Sequence, residues 1–328
     1  MTAPFRTRRR LCLTTLLGLG LSVSQATVWA QADKTARILV GFPPGGGTDA
    51  IARLLAEHLR QELGHAVMVE NRPGAGGQLA AQALKSGQPD GLTVMLSHDH
   101  ALSVIPLTVR QPGYDPVRDF APVGGIGTFV NALALPGTSK STSAKAFFED
   151  VRRQGGASSV GVPAPASIPV FAVQALARSN RLDLVPVPYR GSAPMMTDLI
   201  GGQIPAAVAS MPDFIEAHKA GRVRVVAVMG RQRDPLLPNV PTFQELGISG
   251  FEEPAFCGLF APAGTPAALV SNWTQALGRV LARADVRQRL VAMGLSVDPM
   301  SSERLQALER RYTQSWDRII RESGFQPE

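Results

Sequence analysis

The chain reads as a two-lobed α/β protein, each lobe a mostly parallel sheet flanked by helices, with a ligand cleft between the lobes. Three observations predict this. Short β-branched runs alternate with helical patterns nearly throughout, the βαβα order of parallel sheets covered on both faces. The 296 residues that follow a cleavable leader exceed the size at which a single core usually divides. Loops rich in glycine and proline stand at four strand-to-helix junctions, two in each half of the chain. Ligands of open α/β sheets sit beyond the carboxyl ends of strands, so these loops can line one cleft.

The leader comes first. Arg6, Arg8, Arg9 and Arg10 precede the apolar run 11–23, and small residues follow it. This is the pattern of a secretory signal peptide over residues 1–32, with cleavage after Ala30 or, preferred here, Ala32. An apolar core of 13 residues is too short for a permanent anchor. The paired Arg8-Arg9 leaves both the general and the twin-arginine export routes open. The mature chain is therefore expected in the periplasm. Losing four arginines and no acid lowers the formal charge from +7 to +3. With few aromatic residues, that charge gives no case for nucleic acid. Of the two cysteines only Cys257 survives, so no disulfide framework exists. Its setting, Ala255-Phe-Cys-Gly-Leu-Phe260, is that of a buried small hydrophobe.

The spacing predicts strands over 38–40, 67–69 and 94–96, and helices over 50–63 and 78–86. Residues 106–122 are irregular, with a helical turn within 114–120, and 129–135 reads as one strand. A second series follows, with helices over 143–153, 170–177, 194–200 and 213–219. Its strands fall at 159–162, 184–188, 206–209 and 223–229. An extended run at 258–262 leads to helices 266–283, 285–293 and 301–323. The last presents Leu305, Leu308, Tyr312, Trp316, Ile319 and Ile320 as a packing stripe. The expected lobes are 33–128 plus 253–328, and 129–252, with crossings near 129–135 and 251–261.

The most telling stretch is Arg37-Ile-Leu-Val-Gly-Phe-Pro-Pro-Gly-Gly-Gly-Thr-Asp49. A strand meets a helix through a loop with almost no side chains, where a ligand can approach the backbone and unpaired amides face an anion. Two nucleotide motifs compete for it. The phosphate-loop pattern fails because Gly47 holds the lysine position. The dinucleotide fingerprint fits better, as Gly45-x-Gly47-x-x-Ala50 with Glu70 beyond the next strand. Pro43 and Pro44, however, displace the first glycine from the strand end. An exported NAD(P)-dependent oxidoreductase is therefore the alternative to weigh. His98 and His100 form a pair with no third clustered ligand, which suits cleft-lining polar residues better than a metal site. No G-x-S-x-G elbow is present.

An ordered set of motifs runs through the mature chain. Phe42-Pro-Pro-Gly-Gly-Gly-Thr-Asp49, Glu70-Asn-Arg-Pro-Gly-Ala-Gly-Gly77, Pro89-Asp-Gly91 and Tyr114-Asp-Pro-Val-Arg-Asp-Phe-Ala-Pro122 come first. Pro188-Tyr-Arg-Gly-Ser-Ala-Pro194, Asp198-Leu-Ile-Gly-Gly-Gln203, Pro238-Asn-Val-Pro-Thr242 and Gly258-Leu-Phe-Ala-Pro-Ala-Gly-Thr-Pro266 continue it. Together they resemble the Bug-type extracytoplasmic solute receptors of tripartite tricarboxylate transporters. The resemblance implies a type II periplasmic-binding-protein fold, monomeric and non-enzymatic, that needs no cofactor and closes on a small carboxylate. It also implies membrane permease subunits as partners, with a ligand-sensing role for a membrane signalling partner left open. On this basis Phe42, Pro44, Gly45, Gly46 and Gly47 hold a carboxylate with Thr48 as donor. Asp49 caps the helix or organises the loop. Asn71, Ser97, Ala164, Ser167, Gly191 and Ser192 supply the opposite wall, and Asp213 brings a further loop to the cleft or caps its own helix. One departure stands out. Where such receptors usually carry a flexible glycine-serine loop with a nearby histidine, this chain has Gly161-Val-Pro-Ala-Pro-Ala-Ser-Ile-Pro169. Its three prolines remove N–H donors and stiffen the loop. A drier wall favours an aromatic or short aliphatic monocarboxylate over a citrate-like ligand.

Overall fold

The computed structural model describes residues 34–327; the export signal expected over residues 1–32 lies outside them. Among the described residues no helix is long and apolar enough to cross a membrane.

Strand β1 (Thr35–Val40) ends in three fully buried apolar residues, Ile38, Leu39 and Val40, so both its faces are covered. It pairs in parallel with β2 (Ala66–Asn71) and β3 (Thr93–His98). Helix α1 (Gly47–Leu63) buries Ile51, Leu54, Leu55 and Leu59 and stops at Gly64, whose φ of 72° suits the left-handed cap that glycine adopts freely. Helix α2 (Gln78–Lys85) completes the second βαβ unit. Beyond β3 the chain makes a π-helical turn (His100–Val104), and two short helices follow, α3 (Ile105–Thr108) and α4 (Pro116–Asp119).

The second half repeats the pattern. Strands β5 (Asn131–Pro136), β6 (Ala157–Val162), β7 (Asp183–Pro188), β8 (Ala207–Ser210) and β9 (Val223–Val228) form one five-stranded sheet. Helices α5 (Ala144–Arg153), α6 (Ile168–Asn180), α7 (Ser192–Ile200) and α8 (Met211–Lys219) connect them. The six-stranded sheet is finished by β4 (Phe120–Phe129), β10 (Ala255–Pro262) and β11 (Ser296–Met300). Its order is β11-β4-β10-β3-β1-β2; the other sheet runs β7-β6-β8-β5-β9. Helices α9 (Ala267–Ala282), α10 (Ala284–Ala292) and α11 (Ser302–Glu322) close the chain.

The two-lobed α/β architecture is the one expected, but both sheets are mixed instead of mostly parallel. Parallel pairs come from βαβ units within each half. Antiparallel pairs come from crossing strands: β10 arrives after the second sheet is built and slots between β3 and β4, antiparallel to both. Strand β5 lies antiparallel to β8 and β9 for the same reason. The run expected as a single strand over 129–135 is divided. Phe129 ends β4 in one sheet and Asn131 begins β5 in the other, with Val130 alone between them.

Two strands went unread. Strand β4 carries Val-Gly-Gly-Ile-Gly, and glycine is poor strand material in isolation. Here it allows close packing: a Cβ on Gly127 would lie 2.2 Å from the Ser296 carbonyl, and one on Gly125 2.8 Å from Met300. Strand β11 is a short edge carrying Asp298 and Pro299, the composition that protects an edge.

Alternation sorts the core. Leu133 and Leu135 of β5 and Val208 of β8 join the large core shared by both halves. Their neighbours Ala132, Ala134, Ala207 and Ala209 face a smaller core with Phe214, Met195 and Leu199. Helix α11 ties the halves together: Tyr312 packs edge-on against Phe256, and Trp316 touches both Phe171 of α6 and Phe251. Cys257 is buried in β10, and burial pushes its thiol up to about 12, so it packs as a hydrophobe.

Candidate functional site

The junction loops meet between the two sheets around a small cavity of about 50 Å³, lined by residues from both halves of the chain. Its floor and walls follow from how each loop is held.

The β1–α1 loop is organised by Asp49, which is 4% exposed. Its carboxylate accepts hydrogen bonds from the Gly45 amide (3.0 Å), Arg53 Nε (2.9 Å) and Asn71 Nδ2 (2.9 Å). Burial alone would raise its pKa; the hydrogen bonds from Arg53, Gly45 and Asn71 outweigh it and hold the group below the usual carboxylate range. Asn71 also donates to the Phe42 carbonyl (3.0 Å) and accepts from Arg53 Nη2 (3.1 Å). The loop thus arrives rigid, with Phe42 and Thr48 facing the cavity.

The opposite side touches it. The Gly47 amide, at the start of α1, donates to Asp213 Oδ1 of α8 (2.9 Å), whose Oδ2 accepts from Ser210 Oγ (2.6 Å). A Cβ on Gly47 would fall 2.7 Å from Pro212, one on Gly46 2.7 Å from Ser192 Oγ, and one on Gly191 2.5 Å from Pro43. These glycines permit the two halves to approach at backbone distance.

The β6–α6 loop makes an apolar wall from Pro163, Ala164, Ile168 and Pro169. Ser167 Oγ is turned inward and donates to the Ala164 carbonyl (2.7 Å). Facing this wall, Phe42 stacks on His98 (5.1 Å between rings), and Phe129 meets the same imidazole edge-on (5.9 Å). Asp99, 4% exposed, accepts from the Tyr312 hydroxyl (3.0 Å) and lies 3.1 Å from His98 Nδ1. Burial pushes His100 down to about 4, against an opposing pull from Asp99 and together with His98, so its imidazole is neutral at pH 7. The lining contains Asp99 and Asp213 but no lysine or arginine.

Of the residues expected at the site, Phe42, Thr48, Ala164, Ser167, Ser192 and Asp213 line the cavity. The others lie elsewhere. Pro44 and Gly45 are exposed outside it, and the Gly45 amide is spent on Asp49. Gly46, Gly47 and Gly191 lie at the contact between the halves, where the Gly47 amide is taken by Asp213. Asn71 faces back into the loop, and Ser97 is buried opposite Gly258 in the β3–β10 ladder. Two amides of the expected carboxylate cradle, those of Gly45 and Gly47, thus donate to the protein's own carboxylates. The same carboxylate at Gly47 opposes a dinucleotide pyrophosphate, and Glu70 is paired with Arg37 and Arg72. Sequence reasoning missed Asp99, Phe129, Asn131, Ile168 and Ser210. Only the His98-Asp-His100 pattern signalled this wall.

The cavity is walled by junction loops from two helix-flanked sheets, and its lining mixes apolar side chains with the hydroxyls of Thr48, Ser167, Ser192 and Ser210. The chain belongs to the Tripartite tricarboxylate transporter family receptor, whose sequence profile matches residues 51–325. It is 30% identical to a protein encoded in the tcbD-tcbE intergenic region of Pseudomonas sp. strain P51, over 95% of this chain and 94% of that one. Protein BugT of Bordetella pertussis is 27% identical over 95% of this chain and 97% of its own. Among solved structures, the periplasmic binding protein BugD superposes with a TM-score of 0.84 at 29% identity, covering 90% of this chain and 99% of that one. An R. palustris protein solved with adipate gives 0.84 at 28% identity, covering 90% and 99%. MatC of Rhodopseudomonas palustris, solved with malate, gives 0.79 at 28%, covering 87% and 98%.

Proposed function

We propose that this receptor captures a small monocarboxylate with an apolar body, aromatic or short aliphatic, and delivers it to the membrane subunits of a tripartite transporter. The observation that carries the reading is the composition of the cleft. Phe42, Phe129, Pro163, Ile168 and Pro169 offer apolar surface, while Asp99 and Asp213 disfavour a second negative charge on the ligand. The adipate- and malate-bound relatives support a carboxylate of some kind. Two lobes, residues 33–128 with 253–328 and residues 129–252, close about the crossings, and the closed form docks on its partners as a monomer. Closure of this kind needs only a few residues at element ends to absorb the rotation.

A thermal-shift screen tests this. The panel holds benzoate, hexanoate, adipate, malate, citrate, amidated controls and NAD(P). Saturation at ~100 times Kd adds about 2.7 kcal/mol, a shift of several degrees. Benzoate or hexanoate should stabilise the protein and their amides should not. A larger shift with citrate than with any monocarboxylate would overturn the monocarboxylate assignment. Stabilisation by NAD(P) alone would replace the receptor reading with the oxidoreductase.

A further inference from the structure

A second cavity, of about 540 Å³, lies outside the cleft and shares no lining residue with it. Its size falls within the ~300–1,000 Å³ of small-ligand pockets. One side is α11; the other is the chain from the π-helical turn to α4, which brings Leu102, Pro106, Pro112, Tyr114 and Pro116. Most polar groups there are committed. The Tyr114 hydroxyl donates to the Ala101 carbonyl, Arg118 Nε to Asp115 Oδ2 (2.8 Å), and Thr313 Oγ1 to Ser103 Oγ (2.8 Å). Glu309 is different. It sits on the buried stripe of α11 with Leu305, Tyr312, Trp316 and Ile320, where that helix otherwise places apolar and aromatic side chains. It is 7% exposed and lines the cavity, yet its carboxylate has no hydrogen-bond or ion-pair partner among the described residues. Its oxygens are not sealed in either: they keep contact with solvent, and that contact runs through the cavity. Buried acids are rare unless paired, and an unpaired one in a packing stripe weakens the fold that carries it. The stripe thus holds an uncommitted acceptor whose open side is the cavity.

We propose that this cavity is a second ligand site, which takes a small primary ammonium with an apolar body by accepting its N–H groups on the Glu309 carboxylate. The chemistry follows from the lining. An ionised carboxylate can only accept, so it selects a donor, and a cationic donor gains more from it than a neutral one. Leu102 and the three prolines offer apolar surface to the body and no side-chain donor that would compete. The ionised carboxylate is the binding form. Burial pushes Glu309 up to about 7, with Arg310 opposing, so below that pH an arriving ammonium must displace a proton. Other charges around it are few. Arg310 is exposed at the rim, where solvent screens it, and Asp115 and Arg118 across the cavity are paired with each other. Strands β4 and β10 and helix α3, packed on the same helix, bring no charged side chain. The π-helical turn brings His100, neutral in its buried setting, and β11 brings Asp298, tied to Arg304.

Calorimetry with hexylammonium and benzylammonium tests this, with 1-hexanol and benzyl alcohol as uncharged controls. Titrations are run at pH 6 and 8, where both probes stay charged, on the wild type and on Glu309→Gln. At pH 8 each ammonium should bind the wild type at least ~10-fold more tightly than its alcohol, and Glu309→Gln should lose ~10–100-fold. From pH 8 to pH 6 the wild-type affinity should fall about tenfold, as the ionised fraction of a group near 7 falls, while that of the variant stays level. Amide ¹H–¹⁵N shifts of the wild type locate the site without relying on the variant. Those of Leu102, Val117 and Gln314 should move on saturation with hexylammonium, and those of Thr48 and Ser167 in the cleft should not. No ammonium binding to the wild type, equal affinity in Glu309→Gln, wild-type affinity that ignores pH, or shifts confined to the cleft would overturn the proposal.

Discussion

At the scale of single residues, the site is held by side chains that never face the ligand. Asn71 bridges the Phe42 carbonyl, Asp49 and Arg53, so its removal unties three groups at once. Asn71→Ala should cost about 1–3 kcal/mol in urea denaturation, because Asp49 then loses a donor while buried. The slope of the transition should be unchanged, since the rest of the fold is untouched. A cost below a few tenths of a kcal/mol would show that the loop needs no such organiser. Part of this was legible in the sequence. Asp49 follows a glycine run at a helix start, where a carboxylate organises amides better than it meets an anion. The partners were not legible: Asn71 lies one strand away, and only the parallel pairing of Val40 with Asn71 brings them together. His100 carried a visible signal in the His98-Asp-His100 pattern, but its neutrality and its unpaired nitrogen depend on burial, which no local pattern reports.

At the scale of elements, the informative feature is the meeting of α1 and α8. Gly47 opens one helix, and Asp213 and Pro212 belong to the first turn of the other. Gly47→Ala acts on both the helix start and this contact. Alanine is favoured over glycine by up to ~1 kcal/mol in a helix interior, but Gly47 is the first residue of its helix, where little of that gain applies. Its Cβ would sit 2.7 Å from Pro212, so the two helices could not come this close. The expected outcome is a lowered Tm together with a loss of ligand affinity of at least tenfold, read by calorimetry alongside a thermal melt. Unchanged affinity would show that this approach plays no part in binding. The βαβ units around α1 and α6 were readable because helical and strand periods alternate cleanly there. Strand β4 and the division at Val130 were not. Both belong to crossings between the halves, where glycine serves close packing and one continuous apolar run feeds two sheets. The same crossing hid Phe129 and Asn131 from the list of site residues.

At the scale of the whole molecule, two buried titratable groups pull stability in opposite directions with pH. His100 is pushed down to about 4 by burial, against Asp99 and with His98. Its unfolded form, near 6.5, binds protons first, so the stability it contributes is complete above pH 6.5 and lost as pH falls through 4. Glu309 of α11, 7% exposed, is pushed up to about 7 by burial, with only Arg310 opposing. Here the folded state holds its proton longer, so the contribution is complete below 4.5 and lost as pH rises through 7. At ~1.4 kcal/mol per unit, each shift amounts to about 3 kcal/mol at most. Between pH 4.5 and 6.5 the two slopes oppose and largely cancel, so together the two groups leave stability nearly flat across that range. Glu309→Gln separates them, because a neutral amide of nearly the same volume replaces a carboxylate that must ionise in a half-dry site. At pH 8 the variant should be more stable than the wild type, by up to about 3 kcal/mol, and at pH 4 the two should coincide. Urea denaturation at pH 4, 6 and 8 measures the difference directly, and the variant should show the rising His100 slope between pH 4 and 6 that the wild type conceals. A variant less stable than the wild type at pH 8 would mean that the Glu309 carboxylate is charged and stabilising in the folded protein, against the sign derived from its burial.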